Sequence, residues 1–507
     1  MPSRNRSSLY AFGLATAAST LANAGPCDIY ARGGTPCVAA HSTTRALLDA
    51  YAGPLYSVRR STDGRVQDIY PRSPGGVADG DAQDRFCAGA VCTVATVHDQ
   101  SGHGNDAVRA VGGPDYMKGE DTGDADWEAG AMGAPVTLGK GQRAYGLFVP
   151  PGTGYRVAAG NGTARGDDPE GIYAVVDGTH YNDRCCFDYG NAETSLTDTG
   201  NGHMEALFFG NTGGPPGSGP WIMAEMENGL FLTQHVNERP PGLEMRHRFV
   251  TATLRGKPHH WAIRGGDATA SSGSLRTIYE GARPPANKDG AYDPMSKEGA
   301  VVLGIGGDNS HTSQGTFYEG AMTAGYPPAD VEDEVQADIA RQRYTPAGRN
   351  SGPAVQVGAR VSFRATTPCC TTRYVARDPG SDDVRIDFAT DEGQRRRARW
   401  VVREGLGSAD CYSFESDERP GSFVRHSGNG LVVNANDGSK LFAEDATFCI
   451  QAGVNGQGAT IRSWSQAARY WRHYDTRVHI SYPGGKYSFD SKKSFNDDAS
   501  FVITAAV

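Results

Sequence analysis

One unit recurs three times in the last third of this chain, and this repeat constrains the fold more than any other feature. Phe423-Val424-Arg425-His426 returns as Tyr470-Trp471-Arg472-His473. Phe442-Ala443-Glu444-Asp445-Ala446-Thr447-Phe448 returns as Phe495-Asn496-Asp497-Asp498-Ala499-Ser500-Phe501. A weaker copy precedes them, as Tyr374-Val375-Ala376-Arg377 and Arg397-Ala398-Arg399-Trp400. Ser362-Phe363, Ser413-Phe414 and Ser463-Trp464 mark the same beat. Each copy spans roughly fifty residues and is rich in strand formers, so one supersecondary unit is used three times. Three β-rich units closing on a pseudo-threefold axis predict a β-trefoil. The aromatic positions persist in every copy, as a core requires. The His and Asp persist in two only, with Arg377 and Arg397 in their places in the first. A pair that drops out while the scaffold persists reads as a ligand pair.

The remainder of the chain also reads as all-β. Sixty-seven glycines with few long helical patterns suit strands and tight turns. Two helices are predicted. One covers 43–52, after a Ser42 cap and before Gly53-Pro54. The other covers 329–343, with Val331, Val335 and Ile339 on one face, acids at its start and Arg341 and Arg343 at its end. The stretch 345–353, with two prolines and two glycines, predicts a linker. Two units are therefore expected, 25–344 and 354–507. Residues 1–24 read as a signal peptide: Arg4 and Arg6, an apolar run from Leu9 to Leu21, then Ala22-Asn23-Ala24. Secretion follows, and no other stretch could span a membrane. A net charge of −9, with no basic stripe, argues against nucleic acid as partner. Asn161-Gly162-Thr163 is a glycosylation sequon and predicts a surface loop.

Ten cysteines, all beyond the signal segment, fit disulfides in a secreted chain. Local spacing favours Cys27–Cys37, Cys87–Cys92 and Cys411–Cys449. Cys185, Cys186, Cys369 and Cys370 are left as two adjacent pairs or as cross-partners. With no C-x-x-C, H-E-x-x-H or EF-hand loop, no metal and no cofactor is expected. The cluster from His98 to Asp106 reads as a hydrogen-bonded loop, and His259-His260 as an exposed hairpin.

The most informative strand is Trp221-Ile222-Met223-Ala224-Glu225-Met226-Glu227-Asn228. Alternation puts Ile222, Ala224 and Met226 on one face and Trp221, Met223, Glu225 and Glu227 on the other. Two carboxylates and an indole on a concave face would make a sugar platform. An ordinary solvated face is the plainer reading of this segment taken alone. A second segment changes that balance. Ala300-Val301-Val302-Leu303-Gly304-Ile305-Gly306-Gly307-Asp308 is an apolar strand running into glycines, with an acid at its end. Glycoside hydrolysis needs two such carboxyl groups, one ionised and one protonated.

Five stretches together resemble glycoside hydrolase family 54, the fungal α-L-arabinofuranosidases of type B. They are Gly25-Pro26-Cys27-Asp28-Ile29-Tyr30, Cys185-Cys186-Phe187-Asp188-Tyr189-Gly190, Gly202-His203-Met204-Glu205-Ala206, Met226-Glu227-Asn228 and Gly304-Ile305-Gly306-Gly307-Asp308-Asn309. The terminal repeat resembles carbohydrate-binding module family 42. The resemblance implies a concanavalin-type β-sandwich followed by a β-trefoil. It also implies retaining, exo-acting release of terminal α-L-arabinofuranosyl groups from arabinoxylan, arabinan and related plant cell-wall polysaccharides. By this likeness Glu227 is the nucleophile and Asp308 the acid/base. Cys185–Cys186 is a disulfide packing on the sugar, and Glu225, Asn228 and Gly307 are its neighbours. His426 with Asp445, and His473 and Tyr474 with Asp498, bind sugar in the module, while the first repeat is empty. A monomer is expected.

The chain departs from the family pattern in places. Glu225 stands for an Asp, the loop 211–217 lacks an aromatic, Ser427 stands where a Tyr follows the histidine, and Cys369-Cys370 is unusual. A non-catalytic sugar-binding protein and an open-cleft endo-glycanase are the alternatives. The intact Glu227 and Asp308 speak against the first, and the altered 211–217 loop keeps the second open.

Overall fold

The structure is a computed structural model. It describes residues 24–113, 119, 125–215, 217–236, 238–270, 275–288 and 290–507. The expected signal segment therefore lies outside the described residues, apart from Ala24. Among the described residues the chain is mostly strand, with a few short helices.

Residues up to Pro346 form two antiparallel sheets. One runs Arg276–Ala282, His260–Asp267, Phe249–Lys257, Glu170–Tyr181, Gly315–Ala324, Gln142–Val149, Ala134–Leu138, with Cys37–Ser42 added on Gly315–Ala324. The other runs Leu230–Phe231, Trp221–Glu225, Glu205–Gly210, Asp188–Ala192, Ala300–Leu303, Tyr155–Val157, and on to Val66–Ile69. A single core joins them, including Tyr173, Val175, Leu254 and Phe317 from the first sheet and Leu207, Phe209, Ile222 and Leu303 from the second. Ile222 points across that core: a Cβ placed on Gly265 of the facing sheet would stand 2.1 Å from it. The strand's other face is not solvated either. Trp221 and Met223 are fully buried, and the 211–219 loop lies over Trp221, where Gly214 has no room for a side chain.

The helix expected over 329–343 forms as Ala329–Arg341, ending two residues early before a left-handed Arg343 (φ 53°), with Val335 and Ile339 buried and Val331 half-buried. The helix expected over 43–52 does not form. The Ser42 hydroxyl accepts from the amides of Thr44 and Arg45, a local turn that competes with helix. Arg45 is then buried against Glu319 at 2.6 Å and Asp338 at 2.7 Å. A helix there would pull that guanidinium out of its ion pairs.

From Arg360 to Ala505 the strands form one antiparallel sheet that closes on itself through Arg360–Ala365 pairing with Arg373–Arg377. Phe363, Phe414, Phe448 and Trp471 meet at its centre, with ring centroids 4.9–5.5 Å apart in the direct contacts. Register corrects one beat of the repeat. Phe363 opposes Ile503, Phe414 opposes Val402, and it is Ile461 that opposes Ile450. Ile461, not Trp464, therefore takes the third aromatic place. Trp464 leaves the central core and packs on Phe148 and His180 of the preceding sheets.

Residues 345–353, expected as a linker, are held on both sides. Thr345–Pro346 pairs with Thr137 and Val136. Arg349 is buried and donates to the Gly133 carbonyl, and Ser351 donates to the Ile450 carbonyl. Disulfides join Cys27–Cys37, Cys87–Cys92, Cys185–Cys186, Cys369–Cys370 and Cys411–Cys449. His98 and Asp106 share a hydrogen bond of 2.9 Å, and His259 is exposed in the hairpin turn before His260.

Candidate active site

A cavity of about 430 Å³ opens at one end of the second sheet, and both sequence-predicted carboxylates line it. The sheet delivers Glu227 in an unexpected way. The strand ends at Glu225, and Glu227 and Asn228 take left-handed backbone conformations, with φ of 60° and 52°. The expected alternation therefore stops one turn short of Glu227. The positive φ values turn its side chain towards the segment 199–203. There Glu227 Oε1 accepts from the amides of Thr199 at 2.7 Å and Gly200 at 2.9 Å. Its Oε2 accepts from the His203 amide at 3.0 Å and lies 2.9 Å from His203 Nδ1. Two oxygens offer about four lone-pair sites, so this carboxylate is held on every side.

Asp308 also sits beyond its strand. Ala300–Leu303 ends at a left-handed Gly304 (φ 83°), the first of four residues that lead to the acid. Asp308 is half-buried, and its Oδ1 accepts from the Ser310 amide at 2.8 Å and from the Ser310 hydroxyl. Gly307, before it, lies directly against the Glu193 carboxyl. A Cβ there would stand 1.5 Å from Glu193 Oε2. Arg156 holds the same turn, donating to the Gly307 carbonyl at 2.6 Å and to the Glu193 carbonyl.

Cys185 and Cys186 are bonded to each other and line the cavity. Their sulfurs and a Glu225 oxygen all lie within 4.8 Å of one another. With both sulfurs committed to the disulfide, that cluster is a wall rather than a metal site. The pair is tied to the Asp308 segment: the Cys186 amide donates to the Ser310 carbonyl, and Thr312 Oγ1 donates to the Cys185 carbonyl. Asn228, Gly307 and Glu225 complete the expected set around the cavity. None of the described residues of the 211–217 loop is in its lining; Met204, Leu230, Val236 and Lys288 are.

Several carboxyl groups beneath the cavity hold their protons more tightly than usual. Burial holds Glu225 well above the usual carboxylate range, and Glu193, Asp198 and Asp308 add repulsion. Asp188, two strands away, is raised by burial and by Glu225. Burial pushes Glu193 up to about 8, with Glu227 and Asp308 adding to it. A protonated carboxyl can donate to a sugar hydroxyl, which a carboxylate cannot. The cavity thus offers donors as well as acceptors.

Glu193, Asp198 and His203 line or support this site and were not assigned from the sequence. The polar run 193–203 was the signal available, but nothing in its spacing tells a ligand loop from a surface one.

In the terminal sheet the repeat positions are geometrically equivalent. Arg397, Asp445 and Asp498 each end a short helix. Asp445 lies 3.1 Å from His426 Nε2 and 3.2 Å from Arg425. Asp498 lies 3.7 Å from His473 Nε2 and 3.1 Å from Arg472, and Thr367 Oγ1 bridges that His and Asp. Tyr474 is exposed beside them. In the first repeat Arg377 is instead spent on Glu418 at 2.7 Å. Asn161 is exposed in a loop.

Comparison with known proteins bears on all of this. The model of the family "Alpha-L-arabinofuranosidase B, catalytic" matches residues 26–345, and that of the "Alpha-L-arabinofuranosidase B (ABFB) domain" matches residues 363–503. A probable α-L-arabinofuranosidase B of Aspergillus clavatus is 55% identical over 508 residues, covering 99% of each protein. An α-L-arabinofuranosidase of Hypocrea jecorina is 56% identical over 492 residues, covering 96% of this chain and 97% of that one. The crystal structure of an arabinofuranosidase complexed with arabinofuranosyl-α-1,2-xylobiose superimposes with a TM-score of 0.91 at 51% identity, covering 95% of this chain and 99% of that one. This chain belongs to the α-L-arabinofuranosidase B family, glycoside hydrolase family 54, and is an arabinofuranosidase with that family's catalytic and carbohydrate-binding domains.

Proposed function

We propose that the protein is a secreted, monomeric, retaining exo-hydrolase that releases terminal α-L-arabinofuranosyl groups from arabinoxylan, arabinan and related polysaccharides. In this reading residues 25–344 are a concanavalin-type β-sandwich, 345–353 a connector and 354–507 a β-trefoil module. Asn161 carries the glycan. Glu227 attacks the anomeric carbon as the bond to the leaving oxygen breaks, and Asp308 gives that oxygen its proton. Asp308 then takes a proton from water, the water oxygen attacks the same carbon, and Glu227 is released. Protonated Glu225 donates to a ring hydroxyl, Asn228 and Gly307 border the sugar, and the Cys185–Cys186 disulfide forms an apolar wall beneath it. His426 with Asp445, and His473 and Tyr474 with Asp498, hold arabinofuranose side chains of the same polymer. Burial keeps His426 at about 4, so its imidazole is neutral and can accept.

The observation that carries this reading is the meeting of Glu227, Asp308 and the disulfide in one cavity. The test is hydrolysis of arabinoxylan followed by NMR of the first-formed arabinose anomer. Retention is expected. First-formed product of the opposite anomer would remove Glu227 from the nucleophile's role.

A further inference from the structure

A second cavity, of about 470 Å³, lies on the seam between the two halves, and it contains the second-repeat His426 and Asp445. The catalytic half supplies part of its wall through Trp127, His311 and Thr312. Trp127 is only partly buried. The Arg469 guanidinium stacks over its ring at 4.8 Å and reaches Tyr487 at 5.9 Å. Tyr487, from the third repeat, is exposed at 37%. Two aromatic rings thus stand in one cavity with a fixed imidazole and carboxyl. Aromatic rings beside fixed polar groups suit a neutral sugar, which presents both C–H faces and hydroxyls.

The charges here are already matched internally. Arg425 pairs with Asp445 at 3.2 Å, and Arg469 with Asp490 at 3.2 Å. Glu444 is engaged by Lys440 and by Gln314, which reaches it across the seam at 3.0 Å. No uncommitted charge among these groups invites an ionic ligand. A neutral sugar chain, with alternating hydroxyls and C–H faces, matches both parts of the lining.

The two cavities share one segment. Gly306, Gly307, Asp308 and Ser310 line the catalytic cavity, while His311, Thr312 and Gln314 line the seam cavity. A polymer seated at the seam therefore lies against the same loop that carries Asp308.

We propose that the seam cavity is a composite carbohydrate-binding site. An arabinofuranosyl branch docks on His426 and Asp445, and the adjoining backbone sugar rests on Trp127 of the catalytic half and Tyr487 of the terminal half. The inference rests on the reading of the second repeat as a sugar site. It adds that this site is complete only when both halves are present.

The test is calorimetric titration of the full chain with an arabinofuranosyl-substituted xylo-oligosaccharide, in a Glu227→Gln, Asp498→Ala background. That background leaves the seam and the catalytic cavity. Asp445→Ala should abolish the seam step, and the step that remains belongs to the catalytic cavity. Trp127→Ala should weaken the seam step at least tenfold while the remaining step persists, which certifies a folded chain. If Trp127→Ala does not fold, Trp127→Leu, which keeps an apolar side chain but no ring, should weaken the seam step to the same extent. A change of less than twofold in the folded variant, with Asp445→Ala still abolishing the step, would overturn the composite site and leave the sugar reading of the repeat standing. A seam step that survives Asp445→Ala would instead overturn that reading, and the composite site with it.

Discussion

Glu227 shows how much one residue's backbone can decide. Strand alternation places it beside Glu225, but a left-handed turn carries it to the amides of 199–203. All of its lone pairs are engaged there, so the nucleophilic attack proposed for it requires one donor to yield. Three of the donors are backbone amides, and the Thr199 hydroxyl reaches only to 3.5 Å, so the His203 imidazole is the close donor that can move. Glu227→Gln should lower kcat on an aryl arabinofuranoside by at least about a thousandfold. Asp308→Asn should cost most with poor leaving groups, which depend most on the proton. Equal losses across leaving groups would remove Asp308 from the acid's role. Glu193 offers a different test. Its folded pKa of about 8 is raised above the unfolded value, so the folded state binds the proton more tightly. The stability this gives is fully present below about pH 4.5 and is lost as pH rises towards 8. Glu193→Gln keeps the neutral shape and removes the ionisation. The variant should melt about 2–5 °C higher than the parent at pH 8 and at the same temperature at pH 4. Equal melting at both pH values would show that Glu193 ionises normally.

Elements were legible where the local pattern and the tertiary context agree. The helix Ala329–Arg341 has its apolar stripe, its early acids and a core to pack on. The 43–52 segment has the local pattern alone, and buried Arg45 overrides it through Glu319 and Asp338. Both candidate carboxyls were singled out by residue type and segment, Glu227 on a strand face and Asp308 at a strand end, but their turns were not. Left-handed residues such as Glu227 and Asn228 leave no compositional mark. The repeat was legible through its aromatics, yet Ser463-Trp464 misled by three residues, because an outward Trp at the seam looks in sequence like an inward one. This distinction can be measured. Trp471 is fully buried among Phe363, Phe414 and Phe448. Trp471→Ala should cost the terminal half about 3–5 kcal/mol, read by chemical denaturation followed through circular dichroism. A cost under about 1 kcal/mol would place Trp471 outside that core.

At the scale of the molecule, the sequence suggested two bodies joined by a Pro- and Gly-containing connector. The structure presses them together. Trp464 packs on Phe148 and His180, Arg349 is buried between Gly133 and Asp410, and Gln314 binds Glu444. Such a seam was not readable, because each partner looks like an ordinary core or surface residue within its own half. The backbones come close at Gly130, where a Cβ would stand 2.5 Å from the Ala467 carbonyl carbon and 2.6 Å from the Ala468 nitrogen. Both are backbone atoms, so no rotamer change can make room. Gly130 is not in the left-handed region, and the cost of a side chain there is therefore spatial rather than conformational. Gly130→Ala must push the halves apart or strain both. Domains that share a tight apolar interface unfold together, and those that lose it unfold separately. Scanning calorimetry of the parent should show one transition. Gly130→Ala should split it in two, with the 345–353 segment becoming a site of proteolytic cleavage at temperatures between them. A single transition in the variant, merely shifted downwards, would mean that something other than this contact couples the halves.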